Sequence, residues 1–253
     1  MFPSIVDQLY NLLPASVRNF AMKGMMRFLA PRLRDHFANF ISPGDLVFDV
    51  GANVGDLTHV FLKLGSSVIC VEPQPYCIEI LKKRFGGNPN VTIVEKGLSS
   101  ETGRLSFFVS SRNHATSTFS DEHKQITQFQ KRVWDKTIDV PVTTLDTLVE
   151  KYGRPTFCKI DAESFEFQIL KGLNSKIPIL SFEFTQEFLD NASKCAQHLA
   201  LLGDVKFNYS LYTGYRLASD RWLTHDQLFD KLESGRSPSL CGDIYARFSD
   251  RVF

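Results

Sequence analysis

The stretch Leu46–Gly55, LVFDVGANVG, constrains this chain more than any other. Its first five residues are apolar except for Asp49, and they read as a buried strand. The strand breaks at Gly51, turns through Ala52-Asn53, and runs into a helical pattern from Val54 to Leu64. A strand that feeds a helix through a glycine bend opens a βαβ unit. The helix carries the chain back along the sheet, so the next strand lies parallel to the first.

The alternation continues. Ser67–Val71 reads as a second strand, Tyr76–Phe85 as a helix and Val91–Val94 as a third strand. Phe157–Ile160 and Ile177–Phe184 add a fourth and a fifth, with helices from about Phe165 to Leu170 and on through about Leu201. Phe207–Tyr212 and Asp243–Phe248 supply two more, expected to be antiparallel. The predicted fold is a doubly wound α/β domain, Rossmann-like, with a mostly parallel seven-stranded sheet and helices on both faces. Residues 104–109 and 138–143 read as extra strands flanking a polar segment, Ser110–Lys136. A segment that long without periodicity is usually functional or mobile.

Residues 1–41 differ in character. Apolar residues recur at helical spacing from Ile5 through Leu13 and from Val17 through Leu29, with Pro14 and Pro31 expected to break the run. The turn Ser42-Pro43-Gly44-Asp45 follows. This predicts a helical N-terminal extension, residues 1–41, docked on its own domain, and one α/β domain, residues 42–253.

Composition excludes some partners and settings. The formal charge is +1, without the basic surplus that duplex nucleic acid demands, so no nucleic-acid partner is expected. The five cysteines are odd in number and form no CxxC pair; Cys70 and Cys158 sit inside apolar runs. That pattern points to a reducing compartment and away from a zinc site. No apolar stretch reaches the roughly 18 residues of a membrane span, and the N-terminus lacks the pattern of a secretory signal. The expectation is a cytoplasmic protein with no transmembrane segment; a homodimer is left open.

The glycine bend carries the chemistry. Ligands of open α/β sheets bind beyond the carboxyl ends of the strands, where strand order reverses. Gly51 and Gly55 allow close backbone approach, and the helix start offers free N–H groups to a carboxylate. Asp49 is placed to meet an ammonium, and Asn53 sits within the bend. Glu72, at the tip of the second strand, follows the bend by the interval at which an acidic residue holds ribose hydroxyls. Gly97-Leu98-Ser99 reads as a turn, with Leu98 as an apolar contact for a nucleobase. An amino acid moiety plus a ribose, with no diphosphate turn, describes S-adenosylmethionine. A nicotinamide cofactor would need GxGxxG, whose middle glycine is replaced here by Asn53. An NAD-dependent oxidoreductase and a non-catalytic nucleotide-binding module are the competing readings.

With these residues in view the sequence resembles the FkbM family of class I S-adenosylmethionine-dependent methyltransferases. The resemblance rests on VFDVGANVG (47–55), CVEP (70–73), VPVTTLDTL (140–148) and KIDAESFEFQILKGL (159–173). It implies methyl transfer to a hydroxyl of a sugar, glycolipid or secondary metabolite; an amino-nitrogen acceptor is the alternative. The family pattern KIDVEG appears here as Lys159-Ile160-Asp161-Ala162-Glu163-Ser164, with Ser164 in place of glycine.

Asp161, at the end of the fourth strand, is expected near the sulfonium, as base or acceptor-positioning group. Glu163 is a second candidate, and only one of the two is expected to face the acceptor. An alternative role for Asp161 is as cap of the following helix. His114, in the polar segment, is an alternative base, its ordinary pKa being near neutral. Glu183 is a further pocket-edge carboxylate. Asp161, Glu183 and His114 would make an oxygen-rich cation site, but no metal is expected. His36, His59, His123, His198 and His225 show no ligand spacing. Trp134 and Trp222 are candidates to wall a cavity.

Overall fold

The computed structural model describes residues 29–111, 113–125, 133–211, 216–235, 237 and 240–249. Its centre is a seven-stranded sheet. The strands are β1 (Leu46–Val50), β2 (Ser67–Val71), β3 (Val91–Val94), β7 (Phe157–Ile160), β8 (Ile179–Thr185), β9 (Val205–Leu211) and β10 (Cys241–Phe248), in the order β3-β2-β1-β7-β8-β10-β9. β3, β2, β1, β7 and β8 pair in parallel, and β10 runs antiparallel to both β8 and β9. The chain leaves β1 toward β2 and β3 on one side, then returns to place β7 on the other. The switch point therefore lies between the carboxyl ends of β1 and β7, where such sheets bind ligands.

Helices cover both faces: α2 (Asp56–Lys63), α3 (Pro75–Phe85), α5 (Leu145–Tyr152), α6 (Glu166–Leu170), α7 (Leu189–Leu202) and α8 (His225–Ser234). Successive strand residues point to opposite faces. Phe48, Val50, Ile160 and Phe182 belong to one buried cluster, Val47, Phe157 and Tyr245 to the other. Both faces are apolar because both are covered, as a parallel sheet requires. Each large side chain buried this way stabilises the fold by about 1.5–3 kcal/mol.

Residues 29–37 form a helix, α1. Phe37 packs edge-on to Phe61 and Phe157, Phe40 stacks on Tyr245 at 5.1 Å, and His36 Nε2 shares a 2.7 Å hydrogen bond with the Tyr245 hydroxyl. This described part of the N-terminal segment docks on the sheet. The chain is helical on both sides of Pro31, so the expected break there is corrected. A proline fits a helix's first turn without losing a bond, and elsewhere it can kink a helix without ending it. The expectations for residues 1–28, including Pro14, lie outside the described residues. No helix among the described residues is long and apolar enough to cross a membrane.

The two extra strands form a sheet of their own. β5 (Gly103–Val109) and β6 (Lys136–Thr143) pair antiparallel, and β4 (Gly97–Leu98) joins β6 in parallel, giving the order β4-β6-β5. Gly97-Leu98-Ser99 is thus a short strand rather than a turn: its register with Val142 and Thr143 continues in a 2.9 Å bond from Ser99 N to Thr143 O. Between β5 and β6 the polar segment contributes a 3-10 turn, His114–Thr116, and a short helix α4 (Asp121–Gln125).

Candidate cofactor and acceptor site

Gly51 follows β1 with φ of +78°, and a Cβ there would sit 1.8 Å from the carbonyl oxygen of Asp161. Only glycine lets β1 and β7 run this close at their tips, where Asp161 N donates to Val50 O at 3.0 Å. Gly55, at φ +82°, precedes α2, and its Cβ would strike Phe85 and Leu81 of α3. Both glycines serve the packing of the protein on itself. Asn53, at φ +51°, adopts the left-handed conformation that its residue type tolerates best after glycine.

That bend aims backbone donors at Glu72. Asn53 N donates to Glu72 Oε2 at 2.8 Å and Gln74 N to Oε1 at 2.9 Å. Glu72 is buried, and burial pushes its pKa up to about 7 against the pull of those two donors. Asp49, also buried, accepts from the Thr58 hydroxyl of α2 at 2.5 Å; burial raises it to about 6.

A cavity of about 340 Å³ lies over the carboxyl ends of β1, β2 and β7. Small-molecule sites span roughly 300–1,000 Å³. Asp49, Gly51, Asn53, Glu72, Leu98, His114, Asp161 and Glu163 all line it, as does Glu183. Gly55, expected among the cofactor-binding residues, is not one of the residues that line it. Trp134 and Trp222 do not reach it: Trp134 donates to Thr116 O at 2.9 Å, and Trp222 lies under the Arg247 guanidinium.

At the β7 end, Asp161, Glu163 and Glu183 each bring a carboxylate oxygen within 4.8 Å of the others. The expectation that only one of Asp161 and Glu163 faces the site is therefore corrected. The strand ends at Ile160, and Glu163 (φ +50°) and Ser164 (φ +73°) fold the chain back so that both carboxylates converge; residues i and i+2 of a continuing strand would in any case share a face. Nor does Asp161 cap α6. The Glu166 carboxylate closes that turn, accepting from Ala162 N at 3.0 Å and Ser164 N at 3.2 Å. Burial, then the charges of Asp161 and Glu163, hold Glu183 well above the usual carboxylate range. These three acids could ligate a divalent cation, a different trio from the one containing His114. His114 instead lies beside the exposed ring of Tyr76, 5.6 Å away.

Two residues of this end are not among the candidates that the sequence singles out. Lys159 is buried, donates to Asp243 Oδ1 at 2.8 Å and lies 3.5 Å from Asp161 Oδ2. Burial alone would lower the ammonium's pKa, but Asp243, then Asp161 and Glu183, outweigh it and hold it well above its usual value. Its position two residues before Asp161 is the one hint available. His123 is buried, with Nδ1 2.9 Å from the Ser164 hydroxyl and Nε2 3.6 Å from Glu163 Oε2. No spacing in the sequence connects it to residue 164.

These residues fit S-adenosylmethionine by their chemistry. Glu72 could offer a carboxylate to the ribose, and Asp49 one to the ammonium. Leu98 could wall the adenine, and the start of α2, which has no side-chain cap, could offer N–H groups to the carboxylate. Strand order, glycine bend and acidic strand tips together define a class I methyltransferase fold. A family model, the methyltransferase FkbM domain, matches residues 49–216, and the chain belongs to that family, whose methyl donor is S-adenosylmethionine.

Among curated proteins, the hexuronic acid methyltransferase AglP of Haloferax volcanii is 30% identical over 142 residues, which are 54% of this chain and 54% of that protein. A chloroplastic ribosomal RNA small subunit methyltransferase of Arabidopsis thaliana is 29% identical over 56 residues, 22% of this chain and 16% of that one. The chain spans about half the length, or less, of the curated relatives it matches. Solved structures that align with it include a TehB-like S-adenosylmethionine-dependent methyltransferase of Corynebacterium glutamicum. That alignment has a TM-score of 0.43 and 12% identity, and covers 93% of this chain and 100% of that one.

Proposed function

We propose that this protein transfers the methyl group of S-adenosylmethionine to a hydroxyl oxygen on a sugar, glycolipid or secondary-metabolite acceptor. One observation carries the reading: a single cavity joins Glu72 and Asp49, suited to the cofactor, to a second group of carboxylates at Asp161 and Glu163. In the reaction the C–S bond of the sulfonium breaks as the O–C bond forms, in line. The acceptor's proton passes to a carboxylate, for which Asp161 is the choice. S-adenosylhomocysteine and a methyl ether leave.

The sugar class draws support from the name of the Haloferax relative, which acts on a hexuronic acid. The electrostatics refine that. With Asp161 and Glu163 gathered at the acceptor end and Lys159 already paired with Asp243 and Asp161, a carboxylate acceptor is repelled. A neutral polyol is favoured. The same acids would attract an ammonium, which keeps an amine acceptor as the second reading.

Labelled S-adenosylmethionine incubated with host-cell extract, with mass identification of the labelled product, tests the reading and separates a methyl ether from a methylamine. Asp161→Asn should lower turnover about 100-fold or more while cofactor affinity stays within a few-fold; full activity removes the base. An NADH titration followed by fluorescence disposes of the oxidoreductase reading if no binding appears.

A further inference from the structure

We propose that His123 and Ser164 form a latch that holds the Glu163 carboxylate in the acceptor end of the cavity, making His123 a positioning residue. This role rests on the methyl-transfer reading of that cavity.

Glu163 and Ser164 both have φ in the left-handed region, where a side chain is disfavoured and glycine is not. Two such residues in succession persist only where the surroundings over-determine them. The surroundings here are a separate part of the chain, residues 118–123. The Thr118 hydroxyl donates to Glu163 O at 2.7 Å, the Phe119 ring lies 5.2 Å from that of Phe165, and His123 Nδ1 shares a 2.9 Å hydrogen bond with the Ser164 hydroxyl. Three consecutive residues, 163 to 165, are thus each gripped by one residue of the other segment. His123 is itself fixed: its ring stacks on Phe188 at 5.5 Å with 3° between planes and meets Trp134 edge-on.

A latch is needed because Glu163 has reason to leave. Its carboxylate sits within 4.8 Å of that of Asp161, and like charges at that range repel. Its side chain keeps 22% of its surface exposed, so a route toward solvent exists. Anchoring the backbone at Glu163 O and the side chain of Ser164 at Oγ, with the imidazole 3.6 Å from Glu163 Oε2, opposes that swing. A serine at a glycine-favouring φ makes sense where its hydroxyl is used, and His123 uses it.

The test uses the full chain and three variants: Ser164→Ala, which removes only the hydroxyl, His123→Phe, which keeps a ring on Phe188, and His123→Gln, whose amide can still bond the hydroxyl. Hydrogen exchange of amides 161–166 should rise about tenfold in Ser164→Ala and in His123→Phe, with exchange in β1 and β2 unchanged. Label transfer from S-adenosylmethionine into the host-extract acceptor should fall by about the same factor. S-adenosylhomocysteine affinity by calorimetry should stay within about twofold, since neither residue faces the cofactor end. The double variant should be no worse than either single one, as expected of partners in one contact, and His123→Gln should recover most of the loss. Wild-type exchange at 161–166 in either single variant overturns the latch, and so does a rise spread evenly over the whole chain. Failure of the wild-type protein to bind S-adenosylhomocysteine removes the methyl-transfer reading instead, and the exchange measurement still decides whether the latch exists.

Discussion

The two ends of the cavity are built differently. At the cofactor end, Glu72 is held by two backbone N–H groups and Asp49 by the Thr58 hydroxyl, all from residues 49–74. At the acceptor end, Asp161, Glu163 and Glu183 are placed by a backbone turned left-handed at two residues, by Lys159 and Asp243, and by His123 from a different part of the chain. Backbone donors fixed by a strand and a bend leave a side chain little freedom to move. Side-chain partners drawn from distant segments can each be exchanged without disturbing the sheet. On the proposed assignment, the first design suits a cofactor that does not change, the second an acceptor that does.

One residue serves both ends, and changing it should have the largest effect. A methyl group at Gly51 would meet the Asp161 carbonyl at 1.8 Å, at a backbone φ of +78°. Gly51→Ala should cost about 4 kcal/mol or more in urea unfolding, or prevent folding, because β1 and β7 must separate at their tips. Gly44, at φ +91° with nothing within 4 Å of where a methyl group would lie, provides the control. Gly44→Ala should cost only the conformational part, about 1–2 kcal/mol. Equal losses at the two sites would show that close approach of the strands is not what Gly51 provides.

The next effect separates the ends. Glu72→Ala should weaken S-adenosylmethionine binding about 10- to 100-fold in calorimetry, the worth of hydrogen bonds to a buried charged acceptor. The loop at 161–166 should keep its wild-type exchange rates. An unchanged affinity removes the ribose role from Glu72, and a loosened acceptor loop would mean that the two ends are not independent.

The same division governs what is legible in the sequence. The strands, the strand–bend–helix unit and the acidic strand tips are local patterns, and β1, β2, β3 and β7 fall on the residues whose apolar runs mark them. Asp49 and Glu72 are legible because a strand tip fixes where its residue lies. The direction of Glu163 is not, because it depends on φ at 163 and 164; the glycine that the family pattern has where Ser164 stands hints at a left-handed backbone at 164 but says nothing of 163. His123 escapes a reading by spacing because its partner is 41 positions away and no periodicity links them. Gly97-Leu98 looks like a turn because a two-residue strand has no pattern of its own; only its pairing with β6 defines it.

The smallest effect is a pH dependence, and its sign distinguishes fold from ligand at the cofactor end. Burial raises Asp49 to about 6 and Glu72 to about 7, from ordinary values of 3.8 and 4.5. A carboxyl whose folded pKa is raised takes up a proton on folding. Its contribution to stability is complete below the ordinary value and is lost as pH rises through the folded one. These two groups should therefore make the ligand-free protein less stable as pH rises from about 4 to about 7. The cofactor reverses the preference, because an ammonium and two ribose hydroxyls favour ionised carboxylates. S-adenosylmethionine should bind more tightly as pH rises from about 5 to about 7, by about threefold overall, and level off above that. Thermal shifts with and without the cofactor should diverge over the same window, and Glu72→Gln should flatten the upper part of the curve. An affinity that stays level across that range would mean that neither acid touches the cofactor, and the contrast between the two ends would lose its first half.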